Sequence, residues 1–120
     1  MPSPGQKTDA MVETIDLFPT LCELTGLPAP KEIHGVSLKP ILNSPVAAGH
    51  DAFSYKPNTT STLRTPTHRF ILHQSGATEL YDHQPNHTDE FVNLASDQPE
   101  LVAELTERLK KRMKMRRPNN

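Results

Sequence analysis

The sequence predicts an α+β fold, a small antiparallel sheet of three to four strands packed with a long C-terminal helix and preceded by one helix nearer the N-terminus. Three observations predict it. Apolar residues recur at helical spacing near both ends of the chain. Short runs between residues 52 and 82 alternate in character and end in turn residues. Twelve prolines in 120 residues, against only 34% hydrophobic residues, six aromatics and no tryptophan, call for short elements, stiff loops and a thin core. A core that small supports marginal stability, so the chain is expected to pack on another surface.

Residues 1–10 are polar and read as a loop. Leu17, Phe18, Leu21, Cys22 and Leu24 then fall on one helical face, predicting a helix at about 16–25. Asp16 is placed to cap it, Pro19 fits the first turn, and Gly26 ends it as a left-handed C-cap. Residues 27–51, with Gly35, Pro40, Pro45 and Gly49 among scattered apolar side chains, read as a long loop pinned to a surface, with one turn of helix near Leu38–Leu42.

Ala52–Tyr55, Ser61–Thr65, His68–His73 and Glu79–Asp82 have strand character. Pro66 separates the second from the third, and Ser75-Gly76 separates the third from the fourth as a hairpin turn. The last helix, at about 98–115, starts with Asp97 as cap, Pro99 at its second position and Glu100 as the capping-box acid. Leu101, Val102, Leu105, Leu109 and Met113 form its apolar stripe. Seven basic residues between Arg108 and Arg117 end it, where the helix dipole favours cations. Residues 1–107 hold six bases against fourteen acids, a formal charge of −8. No run approaches the ~20 apolar residues of a membrane span, and MPSPGQKTDA lacks a signal-peptide pattern.

Chemistry-bearing residues are sparse. The lone cysteine, Cys22, excludes an internal disulfide and reads as a buried thiol. His83 and His87, four apart with Asp82 and Asp89 nearby, carry metal-ligand types, but Pro85 denies them a shared helical face. His34, His50, His68 and His73 are isolated and read as exposed or loop-packed. Asp89-Glu90 are adjacent and point apart, and neither a G-x-S-x-G elbow nor a phosphate loop occurs. Asn58-Thr59-Thr60 and Asn86-His87-Thr88 match the glycosylation sequon, which chance also produces.

Three stretches together resemble the C-terminal part of sulfatases of the alkaline-phosphatase-like superfamily, most closely the iduronate-2-sulfatase-like branch. They are VETIDLFPTLCELTGLPAP (residues 12–30), HGVSLKPIL (residues 34–42), and the series LRTPTHRFIL, ELYDH and NLA (residues 63–72, 79–83 and 93–95) before the final helix. The segment between ELYD and NLA departs from the family's Asp-Pro turn, since Pro85 comes earlier and the segment is one residue longer. Physically, Arg64 and Arg69 suit pairing with acids or loop carbonyls. Asp82 and Asn93 suit turn backbone, and Tyr81 suits a ring in the core with its hydroxyl at the edge.

The resemblance implies a sulfuric ester hydrolase of sulfated carbohydrate in which residues 1–50 end the main α/β domain and residues 51–120 form the C-terminal subdomain. It implies a formylglycine, made from the cysteine of C-x-P-S-R, and a calcium ion, both in a larger N-terminal catalytic domain. Cys22 is followed by Glu-Leu-Thr, so it is not that cysteine. No catalytic or metal residue is therefore assigned here, and the isolated chain is expected to be inactive. Met1-Pro-Ser-Pro-Gly resembles the loop before the family's helix, which suggests an internal methionine of a longer parent. An exported parent, whether periplasmic, secreted or lysosomal, would carry its signal upstream. Arg64 and His34 are the candidate substrate contacts, because the family's C-terminal subdomain borders the cleft. The competing class is a non-enzymatic module holding an anionic glycan or nucleic acid with the basic helix; nucleic acid is disfavoured by the absence of interleaved aromatics.

Overall fold

The computed structural model describes residues 4–84 and 89–116. Two compact units divide the chain, Met1–His50 and Asp51–Asn120. No described helix is long and apolar enough to cross a membrane.

In the first unit a 3-10 turn, Thr14–Asp16, runs into helix α1, Leu17–Thr25, and a short helix α2, Lys39–Asn43, follows the long loop. Gly26 ends α1 with φ 73°, and Leu27 N–H donates to Cys22 O, so the predicted left-handed cap is present. The apolar stripe does not behave as expected. Cys22, Pro19 and Thr20 are buried, whereas Leu17, Phe18, Leu21 and Leu24 are 48–60% exposed. Polar contacts hold this unit instead. Thr20 Oγ1 accepts from Leu38 N–H at 2.7 Å and donates to Asp16 O at 2.6 Å, binding the loop before α2 to α1. Gly35 lies against the backbone of Ile15 and Gly49 against that of Met11, too close for a side chain at either position.

In the second unit strands β1 (Ala52–Lys56), β2 (Thr60–Arg64), β3 (His68–His73) and β4 (Thr78–Asp82) form an antiparallel meander in that order. Each connection has a local cause. Asn58 takes φ 59° in the first, Thr65 Oγ1 accepts from His68 N–H across Pro66 in the second, and Gly76 takes φ 89° in the third. Phe53, Leu63, Phe70 and Leu80 stand in register on one face and pack with Leu105 and Leu109 of α3, Pro99–Arg116. Those six residues are the buried core, which matches the thin core expected. Because Leu80 faces the helix, the pleat turns Tyr81 to the opposite face. Its hydroxyl donates there to Glu79 Oε1 at 2.6 Å, correcting the expectation of a core ring. Pro99 opens α3 at its first position, one residue later than expected.

Candidate functional site

The open face of the sheet carries one cluster of charged side chains in the second unit. One cross-sheet row reads Ala52, Arg64, Arg69 and Tyr81 from β1 to β4. Arg64 and Arg69 are direct cross-strand partners, an arrangement in which like charges repel. Arg64 Nη1 donates to Thr65 O at 2.7 Å and His68 O at 3.3 Å, so the predicted pairing with loop carbonyls is present. Burial and the Arg69 charge push its guanidinium below the usual range, while Glu90 partly offsets them. Glu90 Oε1 lies 2.7 Å from both Arg69 Nε and His83 Nε2. The Arg69 contact is Coulombic rather than a directed hydrogen bond, since its Nε has no aligned acceptor. Glu90, passed over as one of two adjacent acids, is thus the hub of this cluster.

Next to it, Glu79 accepts from Tyr81 and from His73 Nε2 at 2.6 Å. The Tyr81 and His73 contacts hold the Glu79 carboxyl below its usual range, and the same Glu79 bond raises the Tyr81 phenol. Asp82 accepts from Gln84 N–H, and Asn93 Oδ1 accepts from Leu80 and Ala95 N–H, the turn roles read for them. The partner proposed for His83 in a metal pair, His87, lies outside the described residues, as do Pro85 and the second sequon.

The other predicted contact, His34, is solvent-exposed in the first unit and has no polar partner among the described residues. His50, read as isolated, instead donates from Nε2 to Asp16 Oδ2 at 2.7 Å, with its Nδ1 3.7 Å from Glu13 Oε2. Asp16 is inaccessible to solvent and accepts N–H groups from Val36 at 2.8 Å and Glu13 at 2.7 Å. Its side chain does not cap α1, the role expected of it, but joins three segments distant in sequence. Burial raises its carboxyl pKa, but the Val36, Glu13 and His50 bonds outweigh burial and leave it below the ordinary value.

Glu13, Asp16 and His50 are close enough to hold a cation. Their geometry fits a bridge better, because the carboxylates address opposite ring nitrogens and Asp16 already accepts from three N–H donors. Calcium takes about 6–8 oxygen ligands, and this cluster does not fit it. Cys22, buried and without the C-x-P-S-R context, does not fit a formylglycine.

On the helix-covered face, a cleft of about 490 Å³ opens between the β1–β2 hairpin and α3, lined by Tyr55, Asn58, Thr60, Leu72, Gln74 and Met113. The basic helix is partly committed within its own unit. Arg108 pairs with Asp51, and Arg112 donates to Asp51 O at 2.8 Å with its guanidinium 5.9 Å from the Phe53 ring centre.

The second unit is a four-stranded meander closed by a C-terminal helix, with β4 tied to Asn93, and the class of protein it belongs to is the C-terminal portion of a sulfatase. The chain belongs to the family described as N-sulphoglucosamine sulphohydrolase, C-terminal, whose sequence model matches residues 2–119. It is 29% identical to arylsulfatase K of Xenopus laevis over 90% of this chain and 23% of that protein. It is 33% identical to a Delta 4,5-hexuronate-2-O-sulfatase of Bacteroides thetaiotaomicron over 70% of this chain and 19% of that protein. The chain therefore spans about a quarter or less of these relatives. Among solved structures, a 2-O GAG sulfatase matches 80% of this chain and 23% of its own with TM-score 0.64 and 27% identity. A second, solved with its substrate D-glucosamine-2-N,6-O-disulfate, matches 86% of this chain and 24% of its own with TM-score 0.65; at 22% identity it supports the fold alone.

Proposed function

We propose that this chain serves a sulfuric ester hydrolase of sulfated glycans, iduronate-2-sulfatase-like in removing a 2-O-sulfate from a uronate, and is inactive by itself. The observation that carries the reading is the family match across residues 2–119 in a chain that spans less than a quarter of its relatives. The finer choice of a 2-O-sulfated uronate is supported by the 33% identity to a hexuronate-2-O-sulfatase.

In this reading residues 1–50 end the parent's α/β domain and residues 51–120 are its C-terminal subdomain. The exposed face of α1 (Leu17, Phe18, Leu21 and Leu24) meets the catalytic domain, which supplies the formylglycine and the calcium ion. Arg64 and His34 are the substrate contacts this chain would contribute. The alternative, glycan binding through the basic helix, is disfavoured because Arg108 and Arg112 are committed to Asp51.

The test is an in-frame search upstream of Met1 for C-x-P-S-R, followed by expression of the longer product. That product is expected to release sulfate from a 2-O-sulfated unsaturated uronate disaccharide, and the 120-residue chain to release none. Activity of the short chain, or an upstream region without the motif, would sink the reading.

A further inference from the structure

We propose that the cleft between the β1–β2 hairpin and α3 is a binding site for a small aromatic molecule carrying one hydroxyl, a phenol by class. Its origin lies in the sheet. The row Phe53, Leu63, Phe70 and Leu80 is covered by Leu105 and Leu109. The next row on the same face, two residues along each strand, reads Tyr55, Ser61 and Leu72. There β2 offers a serine where the core row has leucine, and α3 offers Met113 one turn beyond Leu109. The volume left is about 490 Å³, within the range of small-molecule sites.

Ser61 supplies the polar contact. It is only 8% exposed, and its hydroxyl has no hydrogen-bond partner among the described residues. Buried hydroxyls are ordinarily paired, so the cleft is where this one finds its partner. Tyr55 supplies a platform. Its ring centre stands 5.8 Å from that of Phe53 with the planes 22° apart, and it is 56% exposed, so a third ring can extend the stack. No acidic residue among those described lines the cleft.

An aromatic ring suits this lining better than a sugar. A sugar bears a hydroxyl on most of its carbons, and against Phe53, Leu72 and Met113 those groups would be stranded at a cost for each. A phenol sets apolar edges against the same side chains and one hydroxyl against Ser61. All of these residues belong to the second unit, so the site stands or falls independently of the sulfatase reading.

The experiment titrates the 120-residue chain with p-cresol, toluene and methyl glucoside, following the methyl resonances of Leu72 and Met113. p-Cresol is expected to shift them with a Kd on the order of 1 mM, several-fold tighter than toluene, and methyl glucoside to leave them unmoved. Ser61→Ala is expected to weaken p-cresol about fivefold, the equivalent of one neutral hydrogen bond, without weakening toluene. Tyr55→Ala is expected to weaken both about fivefold through the lost ring contact. Ser61→Leu is expected to fill the cleft and abolish binding while amide protection at Leu63 and Leu80 is kept; should it not fold, the Ser61→Ala ratio decides. Absence of shifts with p-cresol, a cresol-to-toluene ratio unchanged by Ser61→Ala, or methyl glucoside binding as tightly as p-cresol would each overturn the proposal. So would a tyrosine-containing peptide that binds over about tenfold tighter than p-cresol, which would mark a protein-docking groove instead.

Discussion

Asp16→Asn isolates the buried carboxylate on which the first unit is organised. In the wild type its two oxygens accept from Glu13 N–H, Val36 N–H and His50 Nε2, all at 2.7–2.8 Å. Asparagine keeps one acceptor, which can retain Val36, but sets an NH₂ donor against the Glu13 N–H and the imidazole. Hydrogen bonds to a charged group contribute about 1.5–3 kcal/mol each, and a stranded buried donor costs about 1–3 kcal/mol. Part of this relaxes, and His50 is partly open to solvent, so its share is discounted. A net loss of about 3 kcal/mol remains, or roughly two orders of magnitude in local opening. Hydrogen exchange at the Val36 and Glu13 amides reads this directly.

The pH dependence fixes the sign. The folded pKa of Asp16 is depressed, so its contribution is present above the unfolded value of about 3.9 and is lost as pH falls through the folded value. Wild-type protection should therefore fall on acidification in that window, while the variant's stays flat. Protection within threefold of wild type at neutral pH, or parallel acid profiles, would refute the assignment.

Leu109→Ala opens a cavity in a core of six residues. It should cost about 2–5 kcal/mol and lower the melting temperature by at least ~10 °C for a unit this small, as read by calorimetry. Gly35→Ala places a Cβ 2.1 Å from Ile15 O, a backbone atom that cannot swing aside. Gly26→Ala meets open space and has only its left-handed φ to oppose it, about 1–2 kcal/mol. Urea melts should rank Gly35→Ala clearly below Gly26→Ala, and the reverse order would contradict the packing described. Asn93→Ala strands the Leu80 and Ala95 amides; a loss of about 1–3 kcal/mol with increased exchange at Leu80 is expected.

What the sequence made readable was what short-range physics decides. Leu105 and Leu109 were placed in the core by 3.6-residue spacing alone, and Gly26 by the steric cost of a left-handed turn. Tyr81 was misplaced because Leu80 and Tyr81 are adjacent apolar residues, and a two-residue period cannot say which faces inward until register is set. That register is the pairing of Leu80 with Phe70 across β3 and β4, and Asn93, thirteen residues away, holds Leu80 N–H on the outer side of β4. Asp16 failed for a related reason. A capping aspartate and a buried aspartate look alike locally, and its deciding partners are twenty and thirty-four residues downstream.

The α1 stripe teaches the converse lesson. Its spacing announced a buried face correctly as chemistry, yet four of its leucine and phenylalanine side chains remain half exposed in the described structure. Amphipathic spacing reports that a face requires a partner, not that the same chain supplies it. The arginine pair was closer to hand. Arg64 and Arg69 stand symmetrically about the Pro66-Thr67 turn, and any tight hairpin there must set them opposite one another. Read that way, LRTPTHRF does more than mark two strands. It places two arginines opposite one another on the face away from α3, an arrangement that the turn enforces and that Glu90 answers at Arg69.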